Sequence, residues 1–181
     1  MLIYPNSSCL LVVDIQEKLA PAIYEGDAVI ANVRWLAEVA KLANVPIFTT
    51  EQYPKGLGPT VAELQDVLPK EGFMEKMHFS CMAEPSCSEK INSIKPNQVV
   101  IVGMESHVCV LQTAIQIKQQ AREVFVVADA VSSRNPADKA MALERMRQCG
   151  IHIVTKEMVG FEWIQTSGTD QFREFSQNYL R

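Results

Sequence analysis

No stretch of this chain stays apolar for the roughly 18 residues that a membrane-spanning helix needs. A membrane partner is therefore not expected. Basic residues are not in surplus either: 17 Lys and Arg stand against 21 Asp and Glu, a net charge of −4. That balance removes the sequence-independent attraction for phosphate backbones, so nucleic acid is not an expected partner. No G-x-G-x-x-G follows the first apolar run, which argues against a dinucleotide-binding oxidoreductase. Internal repeats, low-complexity tracts and interior linkers are also missing, and this predicts a single domain over residues 1–181. The opening MLIYPNSSCLLVVDIQEKL lacks a basic n-region and a small-residue cleavage site, so no signal peptide and a cytoplasmic location are expected.

Histidine is scarce, with His78, His107 and His152 the full set. Five cysteines, Cys9, Cys81, Cys87, Cys109 and Cys149, make an odd count, and without a secretory signal free thiols are the default. His78, Cys81 and Cys87 lie near one another, but their spacing fits no common zinc finger. No metal or other cofactor is expected.

What the chain does have is alternation of element types. CLLVVD (9–14), QVVIVG (98–103) and EVFVVAD (123–129) are Val- and Ile-rich without polar alternation, as fully buried parallel strands are. VPIFTT (45–50) and IHIVT (151–155) are weaker versions, and GFMEK (72–76) is a sixth candidate. Residues 28–43 place Val29, Val33, Leu36, Val39, Ala40 and Ala43 on one helical face, and 107–120 repeats that spacing. A helix over 136–148 opens with Pro136 and is closed by Gly150; a last one follows a Thr169 cap. Together these predict a three-layer, Rossmann-like α/β fold with about six parallel strands and helices on both faces.

Ligands of open parallel sheets bind beyond the carboxyl ends of the strands. Asp14, Glu51, Gln52, Lys76, the loop GMESHVC (103–109) and Asp129 all fall there. Each has a plain reading: Asp14 as a turn former, Lys76 as a solvated surface cation, Cys109 as a small buried hydrophobe. Together an Asp, a Lys and a Cys on one rim make a nucleophilic site. With Ser106 as N-cap, Cys109 would fall in the first turn of a helix, where the dipole and an ammonium would lower its pKa below the ordinary value of about 8.5.

LLVVDIQEKL, EKMHFSC, VVIVGMESHVCVLQTA and VFVVADAVSSR, in that order, resemble the isochorismatase-like, or cysteine-hydrolase, superfamily over nearly the whole chain. The resemblance implies Asp14 as general base and acid, Lys76 as charge partner and Cys109 as nucleophile. It also implies a cis peptide between Met104 and Glu105, and an oxyanion hole from the backbone N–H groups of Glu105 and Cys109. The implied activity is hydrolysis of a small amide or related C–N bond through a thioester, by a homo-oligomer. The nicotinamidase branch carries an Asp-x-His metal motif where this chain reads TTEQYPKGLG, without histidine. TEQYPKGLG and DAVSSR are instead similar to isochorismatase-domain-containing proteins of bacteria and animal mitochondria.

Gln16, Tyr53 and Phe79 are further candidates for substrate contact, with a helix-start role for Gln16 and core roles for the aromatics as alternatives. His107, two positions before the thiol, should point away from substrate. Glu105 would repel an anionic substrate if its side chain faced inward, and Cys81 is a possible oxidation partner for Cys109. The alternative to a hydrolase is a non-catalytic interaction protein that keeps the fold and these three residues.

Overall fold

The computed structural model describes residues 1–94 and 96–180. Six strands, β1 (Ser8–Val13), β2 (Ile47–Gln52), β3 (Phe73–Lys76), β4 (Gln98–Met104), β5 (Glu123–Ser132) and β6 (His152–Val154), form one sheet in the order β3-β2-β1-β4-β5-β6. Every pairing is parallel. The order reverses at β1, whose neighbours β2 and β4 lead away in opposite directions, so the crevice between the ends of β1 and β4 is the natural ligand site.

The helices are α1 (Gly26–Leu42), the one-turn α2 (Pro54–Leu57) and α3 (Ala62–Gln65), α4 (Pro85–Ser93), α5 (Leu111–Gln119), α6 (Pro136–Gln148), α7 (Lys156–Ile164) and α8 (Asp170–Tyr179). Successive residues of β1 explain why its apolar run does not alternate. Leu10 and Val12 pack with Val33 and Leu36 of α1, Trp163 of α7 and Phe175 of α8. Cys9, Leu11 and Val13 pack on the other face with Ile91 of α4, Ile117 of α5 and Met146 of α6. Both faces are covered, so both need apolar residues.

Local signals set several helix ends. Asn135 Oδ1 accepts from Ala137 N at 2.9 Å and precedes Pro136, the first residue of α6. Gly150, two residues past the end of α6 and next to its cap Cys149, takes the left-handed φ of 76°. Thr169 Oγ1 accepts from Phe172 N at the start of α8. The expected helix 107–120 begins differently: Ser106–Val110 is a π-helical turn and α5 follows it. Glu105, not Ser106, precedes that turn, and the Ser106 hydroxyl is buried with no partner among the described residues. The sequence patterns do not predict α2, α3, α4 or α7.

Candidate active site

Three strand ends deliver the key side chains. Asp14 follows β1 in a left-handed conformation, φ 50°, which a short polar side chain tolerates better than most. Lys76 is the last residue of β3, and Cys109 sits in the π-turn after β4. The close approach of β1 and β4 depends on Gly103. Its φ is 121°, and a Cβ there would lie 2.0 Å from Val13 O, the residue just before Asp14. Met104–Glu105 is a cis peptide, as the resemblance implied.

Asp14 and Lys76 form an ion pair, Nζ to Oδ2 2.7 Å, with both side chains fully removed from solvent. The second carboxylate oxygen accepts from Thr50 Oγ1 at 2.7 Å. The Lys76 ammonium also reaches Gln52 Oε1 at 2.6 Å, Phe79 O at 3.0 Å and His78 O at 3.3 Å. A buried pair of this kind costs desolvation that its mutual attraction only partly returns, so it is weak support for stability. Burial pushes the Asp14 carboxyl up, against the Lys76 charge and the hydrogen bonds from Lys76 and Thr50 that pull it down. A carboxyl moved toward neutrality suits proton exchange.

The Cys109 thiol is 7% exposed and feels both charges. The expectation of a lowered pKa is overturned. Burial raises it first, the Asp14 carboxylate raises it further, and Lys76 lowers it by less. The resting thiol is therefore protonated.

The remaining candidates separate. Gln16 has no group free for substrate: it is fully buried, Nε2 donates to Gln52 O at 3.0 Å and Gly58 O at 2.8 Å, and Oε1 accepts from Gln52 N at 2.8 Å. It clamps β2 to the 58–60 loop rather than starting a helix. Tyr53 and Phe79 are about half exposed, so neither is core. Tyr53 lines a cavity of about 270 Å³ with Pro54, Lys76 and Met77; the Phe79 ring does not. Glu105 turns to Arg134, Oε1 to Nε 2.8 Å, which neutralises the carboxylate feared as a repulsive group. His107 Nδ1 lies 2.9 Å from Ser133 Oγ, just past the end of β5. Cys81 is buried and free, its thiol pushed up to about 12 by burial.

His78 pairs with Glu84 at the surface, while Cys81 and Cys87 are buried. Among the described residues no three His, Cys, Asp or Glu side chains are grouped so as to hold a metal ion. In the loop that holds a metal motif in nicotinamidases, Glu51 Oε1 accepts from Thr60 N and Oγ1, both at 2.7 Å. Sequence reasoning missed Thr50 as a partner of Asp14 and Gln52 as a partner of Lys76. Their signal was position alone, since both lie at the end of the strand that the fold inserts between β1 and β3.

A family profile described as the isochorismatase domain matches residues 8–158. Isochorismatase domain-containing protein 2 of Danio rerio is 39% identical over 174 residues, which is 95% of this chain and 86% of that protein. The 2A form of Mus musculus is 36% identical over 178 residues, 97% of this chain and 84% of its own. Among solved structures, one named MAR1 ribonuclease from Caenorhabditis elegans has a TM-score of 0.93 at 36% identity, covering 100% of this chain and 93% of that one. The YcaC product of Escherichia coli, described as an octameric hydrolase, has a TM-score of 0.93 at 25% identity, covering 99% and 91%. With sheet order, strand-end residues and sequence in agreement, the chain belongs to the isochorismatase-domain family.

Proposed function

We propose that this protein is a hydrolase of a small amide or related C–N bond, with Cys109 as nucleophile. The observation that carries the reading is the buried Lys76–Asp14 pair at 2.7 Å with the Cys109 thiol under its influence. As substrate enters, Asp14 takes the thiol proton and the sulfur attacks the carbonyl carbon. The resulting oxyanion is held by the Glu105 and Cys109 amides. Val108 N and Val110 N both donate to Glu105 O, while among the described residues Cys109 N has no backbone acceptor outside its own turn. One such donor is worth about 10²–10³ in rate in other enzymes. Asp14 then returns the proton to the departing amine as the C–N bond breaks. Water, deprotonated by Asp14, attacks the thioester; the C–S bond breaks, the acid departs, and Asp14 returns the proton to the Cys109 sulfur.

The reading further takes the protein as metal-independent, homo-oligomeric and cytoplasmic, with one domain over 1–181. The octameric E. coli relative supports the second point. No helix among the described residues is long and apolar enough to cross a membrane. The ribonuclease name of the C. elegans relative suggests a phosphodiester substrate. We favour the amide, because a net charge of −4 gives no general attraction for RNA.

The test is a screen of small amides and amidines, with an oligoribonucleotide as one arm, run on wild type and Cys109→Ala. Expected is turnover of an amide that drops by at least about 10³-fold in the variant, with an acyl adduct on Cys109 by mass. Turnover that survives Cys109→Ala, or cleavage of RNA alone, would sink the proposal.

A further inference from the structure

The residue that seats the Lys76 ammonium most closely is one the reaction scheme does not use. Gln52 Oε1 lies 2.6 Å from Lys76 Nζ, and Gln52 Nε2 donates to Met77 O at 2.8 Å. Its backbone is gripped on the other side by the buried amide of Gln16, which accepts from Gln52 N and donates to Gln52 O. Gln52 thus has its main chain clamped to one partner and its side chain to another, with little freedom to swing.

The charge pattern around Lys76 gives this contact its meaning. Of the four acceptors that the ammonium meets, Asp14 alone is anionic; Gln52, His78 and Phe79 offer neutral carbonyl oxygens. Three other carboxylates of this rim are committed elsewhere, Glu51 to Thr60, Glu84 to Met77 N and His78, and Glu105 to Arg134, while Glu75, the residue before Lys76, is exposed. The other titratable groups that sense the pair are the Cys81 and Cys87 thiols. When Asp14 takes the thiol proton it becomes neutral, and Lys76 loses its one anionic partner just as the sulfur becomes anionic. Neutral acceptors keep the ammonium in place at that moment without drawing on its charge. A carboxylate at position 52 would compete with the sulfur for it.

We propose that Gln52 is a positioning residue for Lys76: an uncharged acceptor that holds the ammonium at the junction of Asp14 and Cys109 and leaves its charge to the thiolate. The proposal rests on Cys109 as the reactive thiol, and it is tested at that thiol rather than through hydrolysis. The measurement is the rate of alkylation by iodoacetamide, read from the mass of the peptide containing Cys109, in wild type, Gln52→Met, Gln52→Glu, Lys76→Met and the double variant of Gln52→Met with Lys76→Met. Thermal unfolding checks that each variant is folded.

Gln52→Met should slow alkylation roughly 10-fold, the equivalent of one hydrogen bond to a charged group. With Lys76 already replaced, the same change should add nothing. Gln52→Glu, nearly the same size, should be slower than Gln52→Met because it draws the ammonium away. An equal loss from Gln52→Met with and without Lys76, as expected of a residue that merely holds the Met77 loop, would overturn the proposal. So would a Gln52→Glu rate at or above that of Gln52→Met, and this second comparison against wild type decides the matter if the double variant does not fold. A thiol that depends on Gln52 and Lys76 in a protein that hydrolyses none of the amides would leave the positioning role standing and remove the hydrolase reading.

Discussion

Asp14 and Cys109 meet as two acids that both resist ionisation, one held partly in check by Lys76 and the other pushed up by its neighbour's charge. On the proposed mechanism the proton rests on sulfur and Asp14 must be ionised to accept it. Burial raises the Asp14 value above the ordinary 3.8, so the acid limb of activity belongs above that value. As pH falls through the raised value, Asp14 gains a proton, the base is lost and kcat/KM declines. Measured as a pH profile on whichever amide the screen yields, an acid limb at or below the ordinary carboxylate range would contradict this assignment. Asp14→Asn should be inactive at every pH. Metal dependence is decided at the same scale. Glu51 and Gln52 spend their polar atoms on Thr60, Lys76 and Met77, so activity should withstand prolonged chelation and gain nothing from added zinc, iron or manganese. Loss on chelation with recovery on adding metal would refute it.

One step up, the site is made by the way two strands end. β1 and β4 run side by side to Val13 and Gly103, after which one chain turns left-handed into Asp14 and the other passes through the cis peptide into a π-turn. Gly103 makes this possible because no side chain fits against Val13 O. Gly103→Ala must both part the strands and strain the backbone at its positive φ, and each costs about 1–3 kcal/mol. We expect a stability loss of roughly 2–6 kcal/mol by denaturant unfolding, with the slope unchanged, and loss of Cys109 reactivity in whatever protein remains folded. A loss under about 0.5 kcal/mol, the range of ordinary surface changes, would show that the approach of the strands is not limiting.

At the scale of the whole molecule, two apolar layers enclose the sheet, and one of them carries most of the thiols. Cys9, Cys81 and Cys87 lie on the α4–α5–α6 side, and burial pushes their pKa values from 9.0 to about 12, about 12 and about 11. In the unfolded chain such thiols lose their protons near 9, while in the folded state they keep them. Their contribution is thus fully present below about pH 9 and is lost as pH rises toward the folded values. Each thiol should remove about 1.4 kcal/mol of stability per pH unit inside that window. Unfolding free energies for wild type and Cys9→Ala across pH 8–11.5 test this. The variant should be less stable at pH 8 but lose stability less steeply above pH 9.5. Parallel curves would mean that Cys9 is not held neutral by the fold.

The strand runs and the helices α1, α5, α6 and α8 were readable in the sequence because each depends on local composition, and Asp14, Lys76 and Cys109 were readable from their places after strand-like runs and from the resemblance. A parallel strand covered on both faces must be Val- and Ile-rich, and the caps of α6 and α8 act within three residues of themselves. The four ordered motifs carried the family for the same reason, since they are contiguous pieces of chain. Sequence could not decide what Gln16 and Gln52 do. A glutamine before β2 is in place and one at its end look alike until the sheet order sets β2 between β1 and β3. Nor could it give the state of the Cys109 thiol. Spacing suggested a helix terminus and a nearby cation, both of which lower a thiol pKa. Only packing revealed the burial and the Asp14 charge that raise it by more, because desolvation is a property of everything around a group and not of its neighbours along the chain.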